Sequence, residues 1–218
     1  MLLAAVVGSG IMGERLAAGN VAVALLANSV ATGAALVALI LTFGPVSGAH
    51  FNPAVTLADA SQGGLAWPRA AGYVVAQFVG AIAGVMTAHL MFDHPLLMPS
   101  THMRSGASQV FSEFVATFGL VAVIWGVSRS RAAVVPFAVA AYITGAYWFT
   151  SSTSFANPAV TAARALTDTF AGIRPADVPG FLTGQIAGAV VATVFFRWLV
   201  PSLPVEADDL IVPHGGAG

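Results

Sequence analysis

The sequence predicts an all-α membrane protein: a bundle of six transmembrane helices, the first apparently truncated, with two half-helices, arranged as an inverted repeat. Three observations carry this. Of 218 residues 57% are apolar and 8% charged, with no Lys, and the mean hydropathy is +0.85, far above that of soluble domains. The pentapeptide Asn-Pro-Ala-Val-Thr occurs twice, in SGAHFNPAVTLA from Ser47 to Ala58 and in TSFANPAVTAAR from Thr153 to Arg164. The chain also repeats internally around those two motifs.

Apolar runs long enough to cross a hydrocarbon core, roughly 20 residues each, fall near 20–43, 69–92, 107–127, 132–150 and 178–200. Residues 1–12, MLLAAVVGSGIM, make about half a span and lack the basic n-region of a signal peptide; they read as the end of a first helix whose beginning is missing or misassigned. Asn favours the N-cap and Pro the first helical position, where its missing N–H costs nothing. Asn52-Pro53 and Asn157-Pro158 therefore start helices, and Ala54–Ala60 and Ala159–Ala165 are too short to span. Irregular backbone at membrane depth survives only when buried in protein or lining a wet cavity. Two such half-helices inserted from opposite sides meet N-terminus to N-terminus. Each Asn oxygen then caps its helix, each NH2 faces a lumen, and the paired dipoles oppose cations. The pattern implies a pore for neutral solutes.

The repeat supports this geometry. Shifting AGYVVAQFVGAIAG by 108 positions lays it on PGFLTGQIAGAVVA, with Gly72 on Gly180, Ala76 on Gly184, Gln77 on Gln185 and Gly80 on Gly188. Small residues at every fourth position let helix backbones approach closely in lipid. Three spans and one Asn-Pro-Ala segment per half, about 1–100 and 101–200, form one channel domain; an odd number of spans puts the halves in opposite orientations. Residues 201–218, with Glu206, Asp208 and Asp209, read as a disordered acidic tail.

Several classes are excluded or disfavoured. A net charge of −1 gives no basic surface for nucleic acid. No Cys is present, which removes disulfides, thiolate metal sites and cysteine nucleophiles. Ser9, Ser47 and Ser154 show no nucleophile–base arrangement, so no enzyme is expected. A coupled transporter needs ionisable groups at mid-membrane, and Glu113 and His50 are the candidates. A junction-forming structural protein would block its lumen with bulky side chains. His89, His94 and His102 interleave with Met91, Met98 and Met103, but Pro95 and Pro99 mark this as a connecting loop, and no metal or cofactor is expected.

The chain resembles the aquaporins, or major intrinsic proteins, over almost its whole length. The resemblance rests on SGAHFNPAVT, the second Asn-Pro-Ala 105 residues later, Glu113 in FSEFVATFG, and the paired Gln-x-x-Gly helices. It implies a right-handed helical bundle, a homotetramer of independent pores in the lipid bilayer, and passive conduction of small neutral solutes. Counting without gaps, the four positions of the outer filter are Thr32, Gly145, Ser154 and Val160, the last where an Arg is usual. A filter without ring or guanidinium is wider and less polar, and one of two barriers to protons and cations is weakened. NPAVTAARALTDTFAGI resembles a bacterial branch associated with arsenic detoxification, implying neutral arsenicals and glycerol-like polyols beside water, a bacterial inner membrane and cytoplasmic termini. The alternatives are an ordinary water channel or the coupled transporter. Charge leaves the orientation open: Arg69, Arg129, Arg131 and Arg197 are balanced by Arg15, Arg104, Arg164 and Arg174.

Phe155 lies beside Ser154, and Tyr147, Trp148 and Phe149 crowd the same mouth. Arg164, four residues after Val160, shares its helix face and can reach back to the filter; the expectation favoured here is an ion pair with Asp168. By the resemblance Glu113 holds the second loop backbone, and the matching first-half carboxylate falls before Met1. His50 is expected to shape the cytoplasmic vestibule as a hydrogen-bonding or pH-sensitive group.

Overall fold

The computed structural model describes residues 1–200, so the acidic tail expected over 201–218 lies outside the described residues. Within them the first half comprises α1 (Leu2–Leu16), α2 (Val21–Ser47), the half-helix α3 (Pro53–Gln62) and α4 (Trp67–Met91). The second repeats that order as α5 (Ala107–Arg131), α6 (Val135–Phe149), the half-helix α7 (Pro158–Arg164) and α8 (Val178–Leu199). Single 3-10 turns at Ala132–Val134 and Pro175–Asp177 lead into α6 and α8, and no strand occurs among the described residues. Five stretches, one each on α2, α4, α5, α6 and α8, are long and apolar enough to cross a membrane. Leu26, Val30, Val75, Val79, Phe137 and Trp198 are exposed on them, as lipid-facing positions should be.

Two boundaries differ from the apolar runs expected over 1–12 and 20–43. α1 runs on through Glu14 and Arg15 to Leu16. Gly13 makes this possible, since a Cβ there would stand 3.0 Å from the Ala24 carbonyl of α2. Both charged residues are exposed, and Arg15 donates to the Phe92 carbonyl at 3.0 Å. The buried Asn28 of α2 ties the pair, donating to the Val6 carbonyl at 2.7 Å and to Ser9 Oγ at 2.9 Å. α2 starts at the Asn20 cap and continues through Pro45 to Gly48, whose φ of 69° supplies the left-handed stop.

The two glycine stripes are used unequally. On α8, Gly184 and Gly188 lie against the α5 backbone at Val110 and Phe114, where an added Cβ would collide with carbonyl oxygens. On α4, Gly72 and Gly80 meet nothing within 4 Å. There the close approach occurs at Gly84, against Leu3 and Ala4 of α1. The expected symmetric packing is thus realised on one side only, because α1 reaches α4 one turn beyond the stripe. Gly72 and Gly80 instead border an open groove of about 430 Å³ with Leu2, Tyr73 and Gln77. Leu36, Ile40, Leu120, Val121, Ile124, Trp125, Val139 and Ile143 form the core joining the halves.

Candidate functional site

The site is built from two loops, 48–52 and 153–157, that deliver the N-termini of α3 and α7 to one another. Their backbones match position for position. Ala49 and Phe51 have φ of 47° and 48°, and Ser154 and Ala156, 105 residues on, have 50° and 49°. Left-handed backbone at non-glycine residues is strained and persists only where neighbours enforce it. The enforcement is visible. Asn52 Nδ2 donates to the Ala156 carbonyl at 2.7 Å, and Asn157 Nδ2 donates to the Phe51 carbonyl at 2.8 Å. The same side chains cap their own helices: Asn52 Oδ1 accepts from the Ala54 N–H at 2.9 Å, and Asn157 Oδ1 from those of Ala159 and Val160 at 3.0 and 3.2 Å. An amide carries two N–H groups, so each Asn keeps one beyond its cross-bond. Pro53 and Pro158 occupy the first helical position of each half-helix.

Glu113 secures the second loop. Its fully buried carboxylate accepts from the Phe155 and Ala156 N–H groups at 2.9 and 2.8 Å and from Gln185 Nε2 at 2.6 Å. Gln185 also donates to Thr161 Oγ1 at 2.7 Å, and its counterpart Gln77 donates to Thr56 Oγ1 at 2.9 Å. The paired glutamines therefore brace paired threonines, one behind each half-helix.

Where the half-helices meet lies a cavity of about 80 Å³. Asn52 and Asn157 line it, with His50, Thr32, Ser154, Val160, Phe155 and Arg164. Gly145 does not. It is exposed on α6 with open space around it, and the α6 residues on the cavity are Val135, Val139, Ile143 and Tyr147. Counting back from Asn157 fixed a sequence position, whereas the turn of α6 directs the face, and Gly145 falls on the opposite one. Tyr147 is buried with its hydroxyl 3.2 Å from Thr32 Oγ1. Trp148 and Phe149 point outward and are exposed. Among the described residues the Ser154 hydroxyl has no hydrogen-bond partner.

The expected Arg164–Asp168 pair is not formed. Asp168 instead accepts from the Thr101 N–H at 2.8 Å and its hydroxyl at 3.0 Å, pinning the α4–α5 loop. Those bonds hold its carboxyl below the ordinary carboxylate value. Arg164 turns inward, 2% exposed, with its guanidinium carbon 3.4 Å from the centre of the Phe155 ring and its Nε donating to the Ala171 carbonyl. Arg104 approaches the same ring at 5.0 Å and donates to the Gly172 carbonyl at 2.8 Å. Phe155 packs edge-on against Phe181, 5.1 Å between centroids.

At the other end of the cavity His50 is buried, its Nδ1 3.1 Å from Thr56 Oγ1 and its Nε2 3.7 Å from Asp59 Oδ2. Sequence reasoning missed Asp59. Its signal was available, since it lies inside the first half-helix three residues after Thr56. His89 is a buried brace, with its ring nitrogens 2.7 Å from Thr167 Oγ1 and 2.9 Å from the Leu96 carbonyl.

Residues 1–150 match the family described as Major intrinsic protein. The second Asn-Pro-Ala segment lies beyond that match. Over 206 residues, 94% of this chain and 88% of the other, the sequence is 55% identical to Aquaglyceroporin AqpS of Rhizobium meliloti (strain 1021). It is 41% identical over 108 residues to Aquaporin NIP1-4 of Oryza sativa subsp. japonica and 38% identical over 108 residues to Nodulin-26 of Glycine max. Each plant match covers 49% of this chain and 40% of the relative.

Proposed function

The chain belongs to the major intrinsic protein family, a multi-pass membrane channel and not an enzyme, and on that premise we propose a passive pore whose cargo extends from water and glycerol to larger polyols and neutral arsenicals. The observation that carries the reading is Val160: a buried aliphatic side chain lines the cavity at the position where the family usually places Arg. Thr32 and Ser154 line the same cavity, and the rings of Tyr147 and Phe155 and the Arg164 head, which the ring-free filter expectation left out, line it as well; the aliphatic Val160 gives the wall its width at that one position. The partnerless Ser154 hydroxyl and the second N–H of each Asn amide offer hydrogen bonds that replace hydration without binding an ion. His50 stands at the vestibule. The chain has no Cys, so arsenicals would pass as neutral hydroxy species rather than through thiol exchange. A homotetramer in a bacterial inner membrane, with cytoplasmic termini, completes the proposal.

Light scattering from protein-loaded liposomes under inward gradients of glycerol and arsenous acid tests it. The native protein is expected to give rapid, unsaturable entry of both, and Val160→Arg to abolish arsenous acid and glycerol entry while water flux survives. Water flux alone in both proteins would refute the wide pore and leave a water channel; saturable, gradient-coupled uptake would refute a channel altogether.

A further inference from the structure

We propose that Arg164 supplies the fixed positive charge of this pore, held over the Phe155 ring at the cavity wall so that it repels cations. The inference rests on the channel reading above and goes beyond it, since that reading concerns the width left by Val160. Arg164 is buried yet lines the cavity. A buried guanidinium is costly unless paired, and among the described residues no carboxylate pairs with it: the carboxylate one turn on, Asp168, is held by Thr101. What stabilises the charge is a neutral cradle. The Phe155 face lies 3.4 Å away, the Ala171 carbonyl accepts from Nε, and Arg164 closes the C-terminal end of α7, where the helix dipole favours a cation. None of these contacts neutralises the charge; the charged groups nearby are the buried Glu113 carboxylate, already held by the Phe155 and Ala156 N–H groups, and Arg104 over the same ring, of opposite sign, so a positive field still faces the cavity.

The position explains the departure at 160. Residues 160 and 164 share one face of α7, and moving the guanidinium one turn away from the Asn pair lets its stem run along the wall. Stacking on Phe155 keeps the head against that wall. Phe155 is itself fixed by Phe181 and by Glu113, which accepts from its N–H.

The experiment uses liposomes loaded with a pH-sensitive dye, driven by a potassium diffusion potential, with glycerol flux measured in parallel. Arg164→Gln is expected to raise proton leak by about tenfold or more while glycerol still enters, because a unit charge facing a narrow low-dielectric path dominates the ion barrier. Arg164→Lys, which keeps the charge, is expected to stay as tight as the native protein. Glycerol entry with no increase in leak in Arg164→Gln would overturn the proposal. Should the glutamine variant fail to assemble for want of the Ala171 bond, Val160→Arg decides: leak is expected to remain within about twofold of native, since the barrier is already in place. A severalfold fall would show that the native pore lacks one and would overturn the proposal equally. Failure of the native protein to pass glycerol would instead refute the wide-pore reading on which this proposal rests.

Discussion

Replacing Glu113 by Gln tests what holds the second loop in its strained path. One carboxylate oxygen accepts from the Phe155 N–H at 2.9 Å, the other from the Ala156 N–H at 2.8 Å and Gln185 Nε2 at 2.6 Å. A Gln keeps one acceptor oxygen, and the amide will orient it toward the two donors, leaving Phe155 N–H facing an NH2. A buried donor that loses a charged acceptor costs about 1.5–3 kcal/mol, and each kcal/mol shifts the midpoint of a chain this size by about 2–4 °C. Glu113→Gln should therefore melt about 3–12 °C below native. Glu113→Ala orphans all three donors, about 4.5–9 kcal/mol, and should assemble poorly. The assay is thermal unfolding in detergent by circular dichroism, joined to amide hydrogen exchange. In Glu113→Gln the exchange increase should concentrate at Phe155, the backbone amide that loses its acceptor, while Ala156 keeps one and α5 stays packed on α8. Native melting with unchanged exchange at Phe155 would refute the argument.

Two further outcomes are expected. Gly188→Leu places a side chain against the Phe114 carbonyl and the Phe118 N–H and should abolish monodisperse protein, whereas Gly72→Leu, facing open space, should leave yield and melting within error; equal loss in both would refute the unequal stripes. The folded Asp168 pKa lies below its unfolded value of about 3.9 because Thr101 stabilises the charged form. That stabilisation is complete above the unfolded pKa and is lost as pH falls through the folded one. The Thr101 amide should thus be protected at about pH 5 and released only as pH falls below the ordinary carboxylate value, and Asp168→Asn should show no such dependence; the same acid release in Asp168→Asn as in the native protein would contradict the tie.

What could be read from the sequence was whatever depends on local chemistry. Asn52-Pro53 and Asn157-Pro158 begin helices because capping and the missing Pro N–H act within one turn, and the spans announce themselves by length and apolarity. Positions that depend on which way an apolar helix faces were not readable. α6 is apolar toward lipid and cavity alike, so nothing in its composition separates exposed Gly145 from buried Tyr147. Arg164 shows the same limit from the polar side: Asp168 was the nearest carboxylate in sequence, but Thr101, brought in by the α4–α5 loop, had already engaged it. The glycine stripes were visible as a repeat, yet only tertiary contact decides that Gly188 is filled and Gly80 is not.

The crossed amides of Asn52 and Asn157 also impose an order of events during synthesis. The Phe51 carbonyl has its partner on a residue made 105 positions after Asn52. At about 5–20 residues per second, the first loop waits roughly 5–20 s in the translocation machinery before the second arrives. Its left-handed residues have nothing to enforce them during that interval. The first Asn-Pro-Ala segment is then a helix start without a finished approach, able to slip in depth until α7 enters from the other side. The approach that closes the site is therefore complete only once both half-helices are present, because each loop carbonyl is held by the other half's Asn.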